Sequence, residues 1–202
     1  MTPWRQSLYR ELEGLKLEGI ILDLGGTKNA DYHSILQGEH TITTVNLDRE
    51  KCDIVADVEN KIPIGDGSFD TVIALNILEH IYNYQGFLSE IHRILKPGGQ
   101  VILGVPFLVQ VHPSPYDYFR YTSFSLEKIM TTSQFTEISI KSLGTGPGSA
   151  LAQIAYNALY LTPLRFLAKV TGKLFDAVLR FSGKETFSQE YYPLGYFVSA
   201  KK

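Results

Sequence analysis

Cysteine is nearly absent. Cys52 is the single one among 202 residues, so a disulfide framework is excluded and a cysteine-based zinc centre is not expected. A lone small residue near a strand start reads as packing rather than as a nucleophile. Long apolar runs are missing too. No uninterrupted apolar stretch approaches the roughly 18 residues of a membrane span, and the opening MTPWRQSLYRELEG has no apolar core of signal-peptide length. A cytoplasmic protein is expected. Net charge is small, −2 in total, which removes the general reason to expect nucleic acid. No set of His, Asp and Glu falls at metal-ligand spacing along the chain, so no metal is predicted. Internal repeats and low-complexity tracts are absent.

What is present is an ordinary globular composition, 44% hydrophobic and 20% charged, at a length that suits a single domain over 1–202. Charge is unevenly placed. Residues 1–160 carry 12 Lys/Arg against 18 Asp/Glu, net −6, and residues 161–202 carry 7 against 3, net +4. An acidic body with a basic end suggests two different surfaces.

Strand-like and helix-like segments alternate. Ile20–Leu24, Thr41–Leu47, Asp53–Ala56, Phe69–Leu75, Gln100–Val105, Glu137–Ser142 and Gly195–Ala200 read as strands. Phe69–Leu75 is a continuous apolar run, the pattern of a strand buried on both faces. Ala30–Leu36, Phe87–Leu95, Ser125–Thr132 and a long region over Ser149–Phe181 read as helices, and KPGG at Lys96–Gly99 stops the second of them. Alternation of this kind predicts an α/β fold with a doubly wound, mostly parallel sheet. Ligands in such sheets sit beyond the carboxyl ends of the strands. The unusual polar residues collect there, at Asp23–Asn29, Asp48, Asp57, Asn76–His80 and Pro106–Arg120.

The stretch ILDLGGTKNADY runs from an apolar strand into Asp23, Gly25, Gly26, Thr27 and Asn29. The two glycines let backbone approach a ligand closely. Asp48 lies 23 residues after Gly25 and suits ribose hydroxyls. Asp57 and Val58 suit an adenine amine and ring. A dinucleotide loop reads G-x-G-x-x-G; here the third glycine is missing, which disfavours NAD. The pattern resembles the class I S-adenosylmethionine-dependent methyltransferases, whose first motif is acid-x-Gly-x-Gly-x-Gly. Asp23 and Gly25 match it, and Thr27 and Asn29 stand where later glycines would be. VADVENKIPIGDGSFDTVIALNILEHI (Val55–Ile81) and FLSEIHRILKPGGQVILGVPF (Phe87–Phe107) also resemble that family, so the likeness runs from about Ile20 to Ser142. The resemblance implies a seven-stranded Rossmann-like methyltransferase fold and S-adenosyl-L-methionine as cofactor. It implies Asp23, Gly25, Gly26 and Thr27 at the methionine part, Asp48 at the ribose, Asp57 and Val58 at the adenine, and Asn76 and Ile77 beside the cofactor.

Methyl transfer from a sulfonium mainly requires alignment of the nucleophile, and a hydroxyl nucleophile also benefits from a base. His80 in LEH and His112 in VHPSPYDYFRYT (Val111–Thr122) stand past the fourth and fifth strands. The catalytic reading takes His112 as base, with Asp117 orienting it and His80 facing the pocket. Tyr116, Arg120 and Tyr121 are then substrate contacts, Arg120 as an anion clamp. The plainer alternative pairs Asp117 with Arg120, three residues apart.

About 50 residues, 144–190, separate the last two strands, far more than a hairpin loop. This helical insertion is read as a lid with its apolar stripe buried on the sheet. The other readings are a homodimer interface and a peripheral membrane surface through 150–184. The expected function is methyl transfer to an oxygen or nitrogen of a small molecule, with a sugar or lipid-linked glycan as acceptor. The alternative is a non-catalytic binding or scaffolding relative.

Overall fold

The computed structural model describes residues 1–202. The sheet follows from period-2 patterning. In β1 (Gly19–Leu24) Leu22 and Leu24 point to one face and Ile21 to the other; Val72 and Ala74 oppose Ile73 in β4 (Phe69–Leu75), and Val101 and Leu103 oppose Ile102 in β5 (Leu95–Pro106). Alternate residues of a strand point to opposite faces, so each strand feeds two cores. One core is covered by Phe87, Leu88 and Ile91 of α2 (Tyr84–Ile94) and by Leu126 and Met130 of α3 (Ser123–Thr132). The other is covered by Trp4, Leu8 and Leu12 of α1 (Pro3–Glu13).

With β2 (His40–Asn46), β3 (Ile54–Val55), β6 (Thr136–Leu143) and β7 (Gly195–Lys201), the strand order is β3-β2-β1-β4-β5-β7-β6. The pairs from β3 to β5 are parallel, and β7 runs antiparallel to both β5 and β6. The order reverses between β1 and β4, which opens a crevice at their carboxyl ends.

Several elements differ from the sequence expectation. α1 is unforeseen, although its signals are present: Thr2 accepts from the Arg5 N–H at 3.2 Å as N-cap, Pro3 opens the first turn, and Trp4, Leu8 and Leu12 repeat every four residues. The segment predicted as a helix over 30–36 is a single 3-10 turn, Asp31–Ile35. KPGG lies within β5 rather than in a free turn, with Gly98 at φ +74°. α2 begins three residues earlier than its apolar spacing indicates, because the Asn83 side chain accepts from the Gly86 N–H at 3.1 Å and caps it.

The insertion folds into α4 (Pro147–Ala158) and α5 (Thr162–Arg180). Their backbones touch at two glycines: a Cβ on Gly172 would stand 2.4 Å from the Gly148 carbonyl oxygen. Buried Asp176 accepts from Gly148 N at 2.6 Å, Ser149 N at 2.9 Å and Thr145 Oγ1 at 2.6 Å, so a carboxylate closes the N-terminus of α4. Gly172→Val is expected to force the helices apart, costing about 1–3 kcal/mol. Thermal melting and faster proteolysis within 144–190 are the readouts; an unchanged melt and cleavage rate would show that the contact does not hold the pair.

The apolar arc of α5 is not buried. Phe166, Leu174 and Val178 are each more than 60% exposed, and Phe181 just beyond is 93% exposed. The expectation of a stripe packed on the sheet is therefore wrong. α5 turns Gly172 and Asp176 toward α4 and leaves its larger side chains outward. No helix is long and apolar enough to cross a membrane.

Candidate active site

A cleft of about 740 Å³ opens at the carboxyl ends of β1, β2, β3 and β4. Its wall includes Gly25, Gly26, Thr27 and Asn29 after β1, Asn46 and Leu47 at the end of β2, Asp57 and Val58 after β3, and Asn76, Ile77 and His80 after β4. Arg5, Leu8 and Tyr9 of α1 close one side, and Tyr116 and Tyr118 close another.

The loop after β1 is shaped by what its glycines leave out. Gly25 has φ +78°, and a Cβ there would lie 2.0 Å from Ile77 Cδ1. A Cβ on Gly26 would lie 1.9 Å from Asp23 Oδ2. Asn46 Nδ2 donates to the carbonyls of Gly25 at 2.9 Å and Gly26 at 3.1 Å and so ties the loop to β2. Neither Thr27 nor Asn29 has positive φ; the missing glycines are not required by the backbone path. Across the cleft Asn76 is held at φ +55° and its Oδ1 accepts from Trp4 Nε1 at 2.7 Å.

Two acids expected at the cofactor stand elsewhere. Asp23 is fully buried beneath the loop and does not line the cleft; its Oδ2 accepts from the Tyr32 hydroxyl at 2.6 Å and meets His33 Nε2 at 2.7 Å. Burial first, and then the Asp23 charge, push the Tyr32 hydroxyl well above the usual tyrosine pKa. Asp48 lies beyond the end of β2 and its carboxylate turns to Lys51 Nζ at 2.7 Å, which holds it below the usual carboxylate range together with the Glu50 N–H. Asp57 does line the cleft. Its oxygens accept from Glu59 N at 3.0 Å and Asn60 Nδ2 at 2.9 Å, a turn that fixes the carboxylate beside Val58.

The 111–122 loop closes around a group that the sequence reading only half found. Glu79 and His80 sit on a 3-10 turn, Leu78–His80. His112 comes from the loop and its ring lies 5.1 Å from that of His80. Glu79 is fully buried between them. Its oxygen Oε1 is 3.5 Å from His112 Nε2 and 3.7 Å from His80 Nε2. The Glu79 carboxylate raises the His112 pKa above its ordinary value. No metal-ligand spacing is present along the chain, but the fold brings Glu79, His80 and His112 together, with ligand atoms all within 4.8 Å of one another.

Asp117 and Arg120 follow the plainer alternative. Arg120 makes a bidentate ion pair with Asp117, with Nη2 to Oδ2 at 2.7 Å, and donates to the carbonyls of Phe119 at 2.9 Å and Gln110 at 3.3 Å. Arg120 does not line the cleft; both of its Nη groups are consumed in holding the loop. Arg120 lowers the Asp117 carboxyl to about 2. Asp117 Oδ2 in turn accepts from the His112 backbone N–H at 3.0 Å, so it positions His112 through the main chain. Tyr121 is 6% exposed and belongs to the hydrophobic core, not to a substrate surface. Tyr116 is exposed at the cleft mouth, followed by Tyr118 at a ring distance of 5.6 Å and then Tyr82 at 5.3 Å.

Comparison with known proteins fits this geometry. Residues 22–103, from β1 through most of β5, match the family model described as "Methyltransferase domain". Over that stretch, 82 of the 202 residues, the chain is similar to methyltransferases. A probable S-adenosylmethionine-dependent methyltransferase of Mycolicibacterium smegmatis is 26% identical over 122 residues, 57% of this chain and 47% of that protein. Demethylmenaquinone methyltransferase of Tropheryma whipplei is 25% identical over 112 residues, 50% of this chain and 46% of the relative. The chain therefore spans about half the length of these curated relatives. Among solved structures, a S-adenosylmethionine-dependent methyltransferase from Archaeoglobus fulgidus shares the fold at TM-score 0.58 and 14% identity, covering 99% of this chain and 92% of its own. Haemonchus contortus phosphoethanolamine N-methyltransferase 2 in complex with S-adenosyl-L-methionine shares it at 0.59 and 20%, covering 98% and 52%.

One relative named above is S-adenosylmethionine-dependent and another was solved with S-adenosyl-L-methionine bound; the cleft of this chain has room for a group of that size. Pockets of about 300–1,000 Å³ enclose ligands of that size, and the Cβ-free surface at Gly25 and Gly26 offers the close backbone approach the group needs. None of residues 144–190 lines this cleft, so the helical insertion is not a lid over it. Sequence reading missed Glu79, Asn46, Trp4 and Tyr9. Only Glu79 had a local signal, as the acid of LEH; the others depend on which faces of α1 and β2 meet the loop.

Proposed function

We propose that the chain transfers a methyl group to an oxygen or nitrogen of a small molecule, and that a sugar or lipid-linked glycan is its acceptor. The observation that carries this reading is a glycine-floored cleft that ends, opposite the glycines, in an aromatic rim and a carboxylate–imidazole group. Gly25, Gly26 and Thr27 hold the methionine end of the cofactor, and Asp57 with Val58 holds the adenine. Asn76, oriented by Trp4, and Ile77 pass beside the centre. S-adenosyl-L-methionine supplies an electrophilic methyl on a good leaving group, so the chain contributes alignment and a destination for the acceptor's proton. His80 lines the cleft with Glu79 and His112 behind it, and this group receives that proton. Tyr116 and Tyr118 offer flat faces to the apolar side of a ring-shaped acceptor.

Calorimetry with S-adenosylmethionine and S-adenosylhomocysteine tests the cofactor half: binding of both is expected, and binding of neither sinks the enzyme reading in favour of a scaffolding relative. A methyl-acceptor screen on hydroxyl- and amine-bearing glycans tests the other half.

The lipid-linked choice rests on α5. Its exposed apolar arc, including Phe166, Leu174 and Val178, is accompanied by Arg165, Lys169, Lys173 and Arg180, while its one acid, Asp176, is buried. Apolar and basic groups together suit an anionic lipid surface, at about 1 kcal/mol per basic residue near it. Co-sedimentation with vesicles rich in phosphatidylglycerol is expected at low salt and reduced by Leu174→Glu. Failure to sediment, or a stable dimer in light scattering that Leu174→Glu dissolves, would replace the membrane by a second copy.

A further inference from the structure

Three electron-rich groups, one carboxylate and two imidazoles, converge at one point beside the cleft. Glu79 is fully buried, and neither of its carboxylate oxygens has a hydrogen-bond partner. His80 Nδ1 lies 2.6 Å from the Tyr116 carbonyl, and His112 Nδ1 lies 3.0 Å from the Gln110 carbonyl. A carbonyl oxygen only accepts, so each Nδ1 carries its hydrogen. In the neutral imidazoles the lone pairs are then on Nε2, and both Nε2 atoms face Glu79 Oε1, at 3.7 Å and 3.5 Å. A buried carboxylate met only by lone pairs is costly, on the order of several kcal/mol, unless a cation stands among them.

We infer that Glu79, His80 and His112 bind a divalent transition-metal ion of the zinc class. Two imidazoles and one carboxylate are a ligand set for such ions, which prefer nitrogen-bearing sites that the harder magnesium and calcium ions do not. With bonds of about 2.0–2.1 Å, ligand atoms around tetrahedral zinc stand about 3.4 Å apart, so the observed separations close with small side-chain adjustments. Each histidine donates its other ring N–H to a backbone carbonyl, which is how metal-bound imidazoles are held in the right tautomer. The site is tied together before any ion arrives. Tyr118 N donates to the Glu79 carbonyl at 2.8 Å, and the Asp117 carboxylate, gripped by Arg120, holds the His112 main chain. His80 lines the cleft and the His112 side chain is about a third exposed, which leaves the ion a side open to a ligand from outside the chain. In the methyltransferase reading above, on which this last step rests, that ligand is the acceptor's oxygen; with the ion in place its proton would pass to solvent water on the open side rather than to the imidazoles, whose Nε2 lone pairs the ion would hold.

The test uses the whole chain, stripped with a chelator and without cofactor or acceptor. Zinc and cobalt titrations should show one tight ion per chain by calorimetry and elemental analysis. Bound cobalt should give intense visible bands and, in proton NMR, two strongly shifted exchangeable signals from the two Nδ1–H groups. Glu79→Gln and His112→Ala should each weaken binding more than about 100-fold, with circular dichroism reporting that the fold is kept. Absence of a tight ion in the unmodified chain overturns the inference and leaves a proton on a histidine as the neutralising cation. Binding that survives in both variants, or a cobalt spectrum without two imidazole signals, overturns it as well, and the last of these needs no variant. The two readings fail separately: ion binding without any methyl transfer removes only the acceptor step, and S-adenosylhomocysteine binding without an ion removes only the metal site.

Discussion

Gly26→Ala should cost the protein at least tenfold in cofactor affinity and about 100-fold in methyl transfer. The added Cβ would lie 1.9 Å from Asp23 Oδ2, where ordinary contact begins near 3.4 Å. Either the loop rises by more than 1 Å or the carboxylate retreats. The carboxylate is fixed by Tyr32 and His33 at 2.6 and 2.7 Å, and hydrogen bonds to a charged group are worth about 1.5–3 kcal/mol each, so the loop is the part that yields. A displacement of about 1 Å in a positioning element costs on the order of 100-fold in rate. Calorimetry with S-adenosylhomocysteine and single-turnover assays read the two effects. Gly14→Ala is the control, since a Cβ there meets nothing nearer than the Glu11 carbonyl at 3.7 Å. Equal affinities for the two variants would show that the glycine floor does not hold the cofactor.

Arg120→Ala should lower the melting temperature by about 6–12 °C, corresponding to about 3 kcal/mol at this chain length. Removing the guanidinium leaves the Asp117 carboxylate, 1% exposed, with the His112 N–H as its remaining donor, and releases the carbonyls of Phe119 and Gln110. A buried charge stripped of its partner is among the larger penalties available to a point substitution. Arg120→Lys should recover only part of the loss, because one ammonium cannot reproduce the forked contacts. An anion-clamp role predicts the opposite pattern, a raised KM with an unchanged melt. Thermal denaturation beside steady-state kinetics therefore decides between the two roles for the same residue.

Asp117 and Arg120 also show how far the sequence could be read. Their three-residue spacing allowed an ion pair on one turn, and the DYFR context equally allowed a substrate clamp. Choosing between them needed the positions of the Gln110 and Phe119 carbonyls, which no local pattern encodes. Asp48 shows the same limit. Its distance from Gly25 was right for a ribose contact, but β2 ends at Asn46, and the following turn swings the carboxylate to Lys51. Asn46 was legible only as a strand residue; that it ties down the glycine loop follows from the parallel pairing of β1 with β2.

What the sequence determined by itself is the sheet and its cleft. Strand periodicity, the buried run over Phe69–Leu75 and the glycines after β1 are properties of neighbours along the chain, and neighbours fix which face a residue takes. The tertiary structure alone decided what those faces meet. It placed Glu79 between His80 and His112, which come from loops after different strands, and turned the apolar arc of α5 outward by packing Gly172 and Asp176 against Gly148 and Ser149. Such contacts join residues about 25 to 35 positions apart, and they depend on chain crossings that local propensity does not carry.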